Sequence, residues 1–263
     1  MRGGWVDGVG RRRLWLVVLA GGIGLFAAVR QALLTTADPM LVPALLAVGA
    51  LVVPTSFVVF IHSRRPPQVV TAATLGAVAA CGGVIGVVVA AIVEFDVLRP
   101  LGLLAVFGVA VIEEVSKLIV PVVLLSSGRW SRVGDGLTIG VASGAGFAAL
   151  ETMGYAFVAL VNSHGDLAVV DGTLILRGLL SPAGHMAWTG ITAAALWHAR
   201  RAGFSVPSVC WLVTACGAAV ALHTAWDGMG GPVTYGIVGA LGLTLLVAIT
   251  RRLRRPADPD PAA

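Results

Sequence analysis

Apolar residues run through this chain in blocks of about twenty, separated by short polar joints. The blocks fall at 14–34, 41–61, 69–93, 101–125, 133–161, 174–197, 206–226 and 233–250. A helix needs roughly 20 apolar residues to cross the hydrocarbon core of a bilayer. The pattern therefore predicts an all-α, polytopic membrane helical bundle of about eight transmembrane helices, with 1–263 forming a single integral membrane domain. No internal repeat and no separate soluble domain is expected. The last residues, 256–263, are rich in Pro, Asp and Ala and read as a disordered cytoplasmic tail.

Composition agrees with the pattern. The chain is 57% hydrophobic and 12% charged, where soluble domains carry roughly 25% charged residues. A soluble α/β enzyme is excluded. The net charge of +5 would suit nucleic acid, but the arginines lie in short joints between apolar runs, so the expected surroundings are a lipid bilayer and no nucleic acid. Arg11, Arg12 and Arg13, Arg64 and Arg65, Arg129 and Arg132, Arg200 and Arg201, and Arg251 onward all fall on one set of flanks. The opposite flanks carry Asp38, Glu94, Asp96, Asp166, Asp171 and Asp227, with few cations (Arg30, Arg99, Arg177). The positive-inside rule then places both termini in the cytoplasm. The first run is too long for the 7–15-residue core of a signal peptide and no A-x-A site follows, so it reads as an uncleaved anchor. Cys81, Cys210 and Cys216 form no CxxC and read as packing residues.

Polar residues inside the apolar runs are the candidate chemistry. The fourth run contains Glu113-Glu114-Val115-Ser116-Lys117 near its middle. Each such charge at the centre of a membrane helix costs about 2.5–3.5 kcal/mol on insertion scales, so partners or water are required. Glu113 and Lys117 share a helix face. Glu114 points about 100° away from Glu113, so the two acids cannot aim at one point. In the fifth run, Gly136, Gly140, Gly144 and Ala148 form a small-residue stripe that lets helix backbones approach. Glu151 lies near that stripe, one turn after Phe147, as Phe-x-x-x-Glu. The Gly144-x-Gly146-x-x-Ala149 segment mimics a dinucleotide fingerprint but lacks the preceding strand that fingerprint needs. In the sixth run His185 follows Pro182 and Gly184, which are expected to kink or delay the helix. In the seventh, His223 and Asp227 are four apart, so the carboxylate can orient the imidazole.

Depth links these groups. With 1.5 Å per residue, Glu113 and Glu114 fall near mid-membrane, and Glu151, His185 and His223 fall in the outer half. Four consecutive helices thus bring their buried acids and imidazoles to compatible depths, which predicts one shared site around a polar cavity.

The ordered set Glu-Glu-x-x-Lys, Phe-x-x-x-Glu, His and His-x-x-x-Asp resembles the PrsW family of intramembrane proteases, relatives of the type II CAAX prenyl endopeptidases and of the Aph-1 subunit of γ-secretase. The resemblance covers about 101–228, the expected catalytic core. It implies that Glu113, Glu114, Glu151, His185 and His223 are catalytic, with Lys117, Phe147 and Asp227 supporting. Asp227 stands where relatives carry asparagine as well. It also implies a bacterial plasma-membrane enzyme acting on a membrane-anchored protein substrate, an anti-sigma factor in particular.

Peptide hydrolysis needs an activated water, a polarised carbonyl and a proton for the leaving amine. A divalent metal, zinc by preference, on His185, His223 and Glu151 would lower the pKa of its water to ~7. Glu113 or Glu114 would be the general base. A metal-free version, in which a glutamate activates water directly and a histidine stabilises the oxyanion, stays open. So do two other classes. One is a proton- or cation-coupled transporter, since intramembrane acids and histidines also mark relays. The other is a non-catalytic scaffold.

Overall fold

In a computed structural model, residues 3–64, 70–97 and 104–253 are described, and every regular element among them is helical. The order is α1 (Gly3–Thr36), a 3-10 turn (Pro39–Leu41), α2 (Val42–Ser63), α3 (Ala72–Val97), α4 (Ala105–Lys117), α5 (Ile119–Ser126), α6 (Val133–Asn162), α7 (Leu167–Leu180), α8 (His185–Arg201), α9 (Val206–Met229) and α10 (Gly231–Arg252). The expected tail, 256–263, and the flanking Arg65 and Arg99 lie outside the described residues. Seven helical stretches among the described residues are long and apolar enough to cross a membrane. The chain is an integral membrane protein.

Two of the eight expected runs are broken helices. The fourth, over 101–125, divides at Leu118 into α4 and α5. Pro121 explains the break. It has no N–H to return to the carbonyl four residues back, which is that of Lys117. The Ser143 hydroxyl of α6 donates to that carbonyl instead, at 2.7 Å. Leu118 N–H tightens back to Val115 O at 3.0 Å, a 3-10-type closure. The sixth run begins earlier than 174, as α7, stops at Leu180, and restarts with His185 as the first residue of α8. Pro182 and Gly184 occupy the interruption, as their residue types predict, and Ser181 caps α7 with its hydroxyl on Arg177 O at 2.7 Å.

α6 is the hub. Its residues from Gly134 to Ala149 are buried without a gap, and it packs most extensively on α8 and α3. The small-residue stripe faces α8. A Cβ at Gly144 would lie 2.5 Å from the His185 carbonyl, so only glycine lets the start of α8 lie this close. On the other side Gly86 of α3 leaves room for the Phe147 ring, whose Cδ2 would be 2.9 Å from an added Cβ. Trp197 of α8 closes the far end of this interface, with its indole N–H on Trp130 O at 2.8 Å. The guanidinium of Arg200 donates to Leu125 O at the end of α5. α1 is peripheral: it packs on α2, and among its described side chains Leu33 is the buried one.

Candidate active site

The buried face of α4 carries Ala110, Glu113, Glu114 and Lys117, a spacing of three and four residues that makes one helical stripe. Val115, on the opposite side, is exposed. An apolar helix thus turns its three charges inward, onto α6, α8 and α9. Lys117 is completely buried (0% exposed). Its ammonium donates to Glu114 Oε1 at 2.7 Å and lies 3.5 Å from Glu113 Oε2. It also lies 2.8 Å from His185 Nδ1 and 4.6 Å from the centre of the Phe147 ring. An ammonium can only donate, so Nδ1 of His185 is the acceptor and its ring proton belongs on Nε2. There Glu151 Oε2 approaches within 2.8 Å.

His223 joins the same network from α9. Its Nδ1 is hydrogen-bonded to Glu114 Oε1 at 2.9 Å. Its Nε2 lies 3.2 Å from Asp227 Oδ2 and 3.6 Å from Glu113 Oε2. The two imidazole rings meet edge to face with centroids 5.2 Å apart. All the groups singled out in the sequence therefore converge, on α4, α6, α8 and α9. They do so by direct contact. Beside them lies a cleft of about 220 Å³ that reaches His185, with Arg177, Trp188, Trp226 and Tyr235 also on its walls. Glu113 and His223 are not among its lining residues.

The two adjacent acids differ in how they are held. Glu114 accepts two hydrogen bonds, from Lys117 and His223. Glu113 Oε2 is buried and accepts none. The roughly 100° between neighbouring helical residues separates the acids into a clamped one and a loosely held one.

Glu113, His185 and His223 each offer a ligand atom, all within 4.8 Å of one another. The spacing thus groups Glu113, and not Glu151, with the two histidines. Glu151 belongs behind His185, between that ring and Arg177, whose Nη2 is 2.8 Å from Glu151 Oε1. The donor set suits a divalent ion. Imidazole and carboxylate are ordinary zinc ligands, the Glu113 oxygen has no hydrogen bond, and four carboxylates (Glu113, Glu114, Glu151, Asp227) face two fixed cations (Lys117, Arg177). An ion on Nδ1 of His185 would have to displace the Lys117 ammonium.

Three contributors were not anticipated. Arg177 appeared as a flanking cation, although its position inside the apolar run 174–197 was a signal that it needs an acidic partner. Ser143 left no sequence signal, because its role follows from where α6 meets the break at Leu118. Glu94, on the last turns of α3, has a buried Oε1 without a hydrogen bond and lies within electrostatic reach of Glu151, His223 and Lys117.

The buried centre of this helical membrane bundle holds paired acids and a lysine on α4, Glu151 on α6 and histidines on α8 and α9, the groups that peptide hydrolysis uses. The comparison with protein families makes the assignment specific: the PrsW family intramembrane metalloprotease profile matches residues 64–251, and the chain belongs to that family. It is accordingly a peptidase. No curated protein and no solved structure matches it.

Proposed function

We propose that this protein cleaves membrane-anchored proteins, of which an anti-sigma factor is the class suggested by its family, at the site formed by Glu113, His185 and His223. The observation that carries the mechanism is the asymmetry of the paired acids: Glu114 is pinned through Oε1 by Lys117 and His223, whereas Glu113 accepts no hydrogen bond, although each acid has a buried, unpartnered Oε2. A zinc-type ion held by Glu113, His185 and His223 would supply a Lewis acid and a bound water of pKa ~7. Glu113 has two carboxylate oxygens, one to face the histidines and one to take the proton of the attacking water. It then returns that proton to the leaving amine. His185, the histidine on the cleft wall, keeps its Nε2 proton on Glu151, which leaves Nδ1, where the Lys117 ammonium lies, to hold the ion. Glu114 orients His223 from Nδ1, which leaves Nε2, 3.6 Å from Glu113 Oε2, to hold the ion, with Asp227 beside it. Glu151 sets the ring of His185 from behind.

The charge distribution further supports both termini in the cytoplasm, and the family resemblance suggests a bacterial plasma membrane and 101–228 as the catalytic core. Reporter fusions at Arg129 and Arg200 should be cytoplasmic and at Asp166 external, and the reverse would overturn that orientation. The test of the activity is cleavage of a co-reconstituted membrane-anchored substrate by purified protein, together with its metal content. Cleavage by wild type and none by Glu113→Gln is expected. Equal turnover by both would refute the assigned chemistry.

A further inference from the structure

Arg177 belongs to none of the motifs that mark the site, yet it is joined to them. It projects from α7 one turn before the interruption that leads to His185. Its guanidinium lies 3.9 Å above the centre of the Tyr155 ring, and its Nη2 is 2.8 Å from Glu151 Oε1. Tyr155 is one turn beyond Glu151 on α6, so the guanidinium lies along that helix and bridges both residues. The other carboxylate oxygen, Glu151 Oε2, lies 2.8 Å from His185 Nε2. A carboxylate held at one oxygen alone can still swing about its last bond. Held at both, it cannot turn without breaking an ion pair.

We infer that Arg177 is a positioning residue for catalysis: it fixes the Glu151 carboxylate so that one oxygen stays on His185. The inference rests on the protease reading of this site. The guanidinium suits the task because one planar group both stacks on an aromatic face and meets a carboxylate. It acts through Glu151 and does not need to touch the reacting atoms.

A simpler role would be to tie α7 to the bundle, and the molecule contains its own control for that. Asp171, also on α7, pairs with Arg30 of α1 at 2.6 Å. That pair anchors the same helix without reaching any histidine. A tether lost at Asp171 should resemble a tether lost at Arg177; a positioning contact should not.

The experiment uses the full-length protein purified in detergent. Arg177→Gln, Arg177→Lys, Glu151→Gln, Asp171→Asn and the double variant Arg177→Gln/Glu151→Gln are compared by kcat and KM on a membrane-anchored substrate. The ring-nitrogen signals of His185 are followed by 15N NMR. Partners that orient a ligand histidine are typically worth 10–100-fold in activity. Arg177→Gln should therefore lower kcat by about that factor with KM within about twofold, and should shift the His185 signals. Arg177→Lys should recover part of both. The double variant should be no slower than Glu151→Gln, and Asp171→Asn should leave kcat and the His185 signals unchanged. Unchanged His185 signals in Arg177→Gln, a rise in KM alone, or an equal loss in Asp171→Asn would each overturn the assignment. If Arg177→Gln does not fold, Arg177→Lys carries the same comparison against Asp171→Asn. If wild type cleaves nothing, the protease reading fails by itself, while the His185 signals still decide the place of Arg177.

Discussion

Two sets of intramembrane charges can be compared in this molecule. At the α1–α7 contact, Arg30 and Asp171 meet at 2.6 Å, with side chains 38% and 13% exposed. They have one contact between them, and α1 is otherwise peripheral. At the centre, Lys117 is 0% exposed and reaches Glu114, Glu113, His185 and Phe147 at once. The first is a tether between two helices. The second is a network in which each group holds another in place, so that removing one leaves several without partners. A charge inside a membrane protein becomes a site when its partners come from several helices and one of its acids, here Glu113, accepts no hydrogen bond while its neighbour Glu114 accepts two.

The comparison can be broken most strongly at Glu113. Glu113→Gln keeps shape and removes the acid, so cleavage should fall by about 10²–10⁴-fold, with inserted protein near the wild-type amount. A cleavage assay normalised to membrane-inserted protein reads this. Next in size is Lys117→Met. Removing one partner of a buried ion pair costs roughly 3–5 kcal/mol, so this variant should lose folded protein as well as activity, seen as a lower unfolding temperature in detergent. A variant as stable as wild type would mean that the central network is no more integrated than the peripheral pair. Ser143→Ala strips the Lys117 carbonyl of its donor. Leaving a buried acceptor unsatisfied costs about 1–3 kcal/mol, and the thermal shift should be correspondingly smaller. The smallest effect is expected at the tether. Arg30→Gln should leave turnover within about twofold, and a large loss of activity there would erase the distinction between the two regions.

Much of this was legible in the residues. The eight apolar runs correspond to seven long helical stretches plus the divided pair α4 and α5, because hydrocarbon thickness sets a length that composition alone can report. The glycine stripe of α6 was readable for the same kind of reason: a four-residue spacing of small side chains has one geometric use in a bundle, close approach of another helix. Pro121 was as visible as Pro182, but the apolar run around it is unbroken and it was read as span. Its consequence depends on the Ser143 hydroxyl, which makes the freed Lys117 carbonyl tolerable where it is buried.

The sequence by itself determined the class of protein, the helices that contribute to the site and the residue types on them. These follow from local periodicity and from the cost of charge in hydrocarbon, both of which act residue by residue. The tertiary structure decided the partners. That Glu114 is clamped and Glu113 is not, that Glu113 stands with His185 and His223 while Glu151 stands behind His185, and that Arg177 completes the network depend on how far each helix turns about its axis and where two of them break. Those rotations are set by contacts between α4, α6, α7, α8 and α9, residues distant in the chain, and a pattern read along one helix carries no record of them.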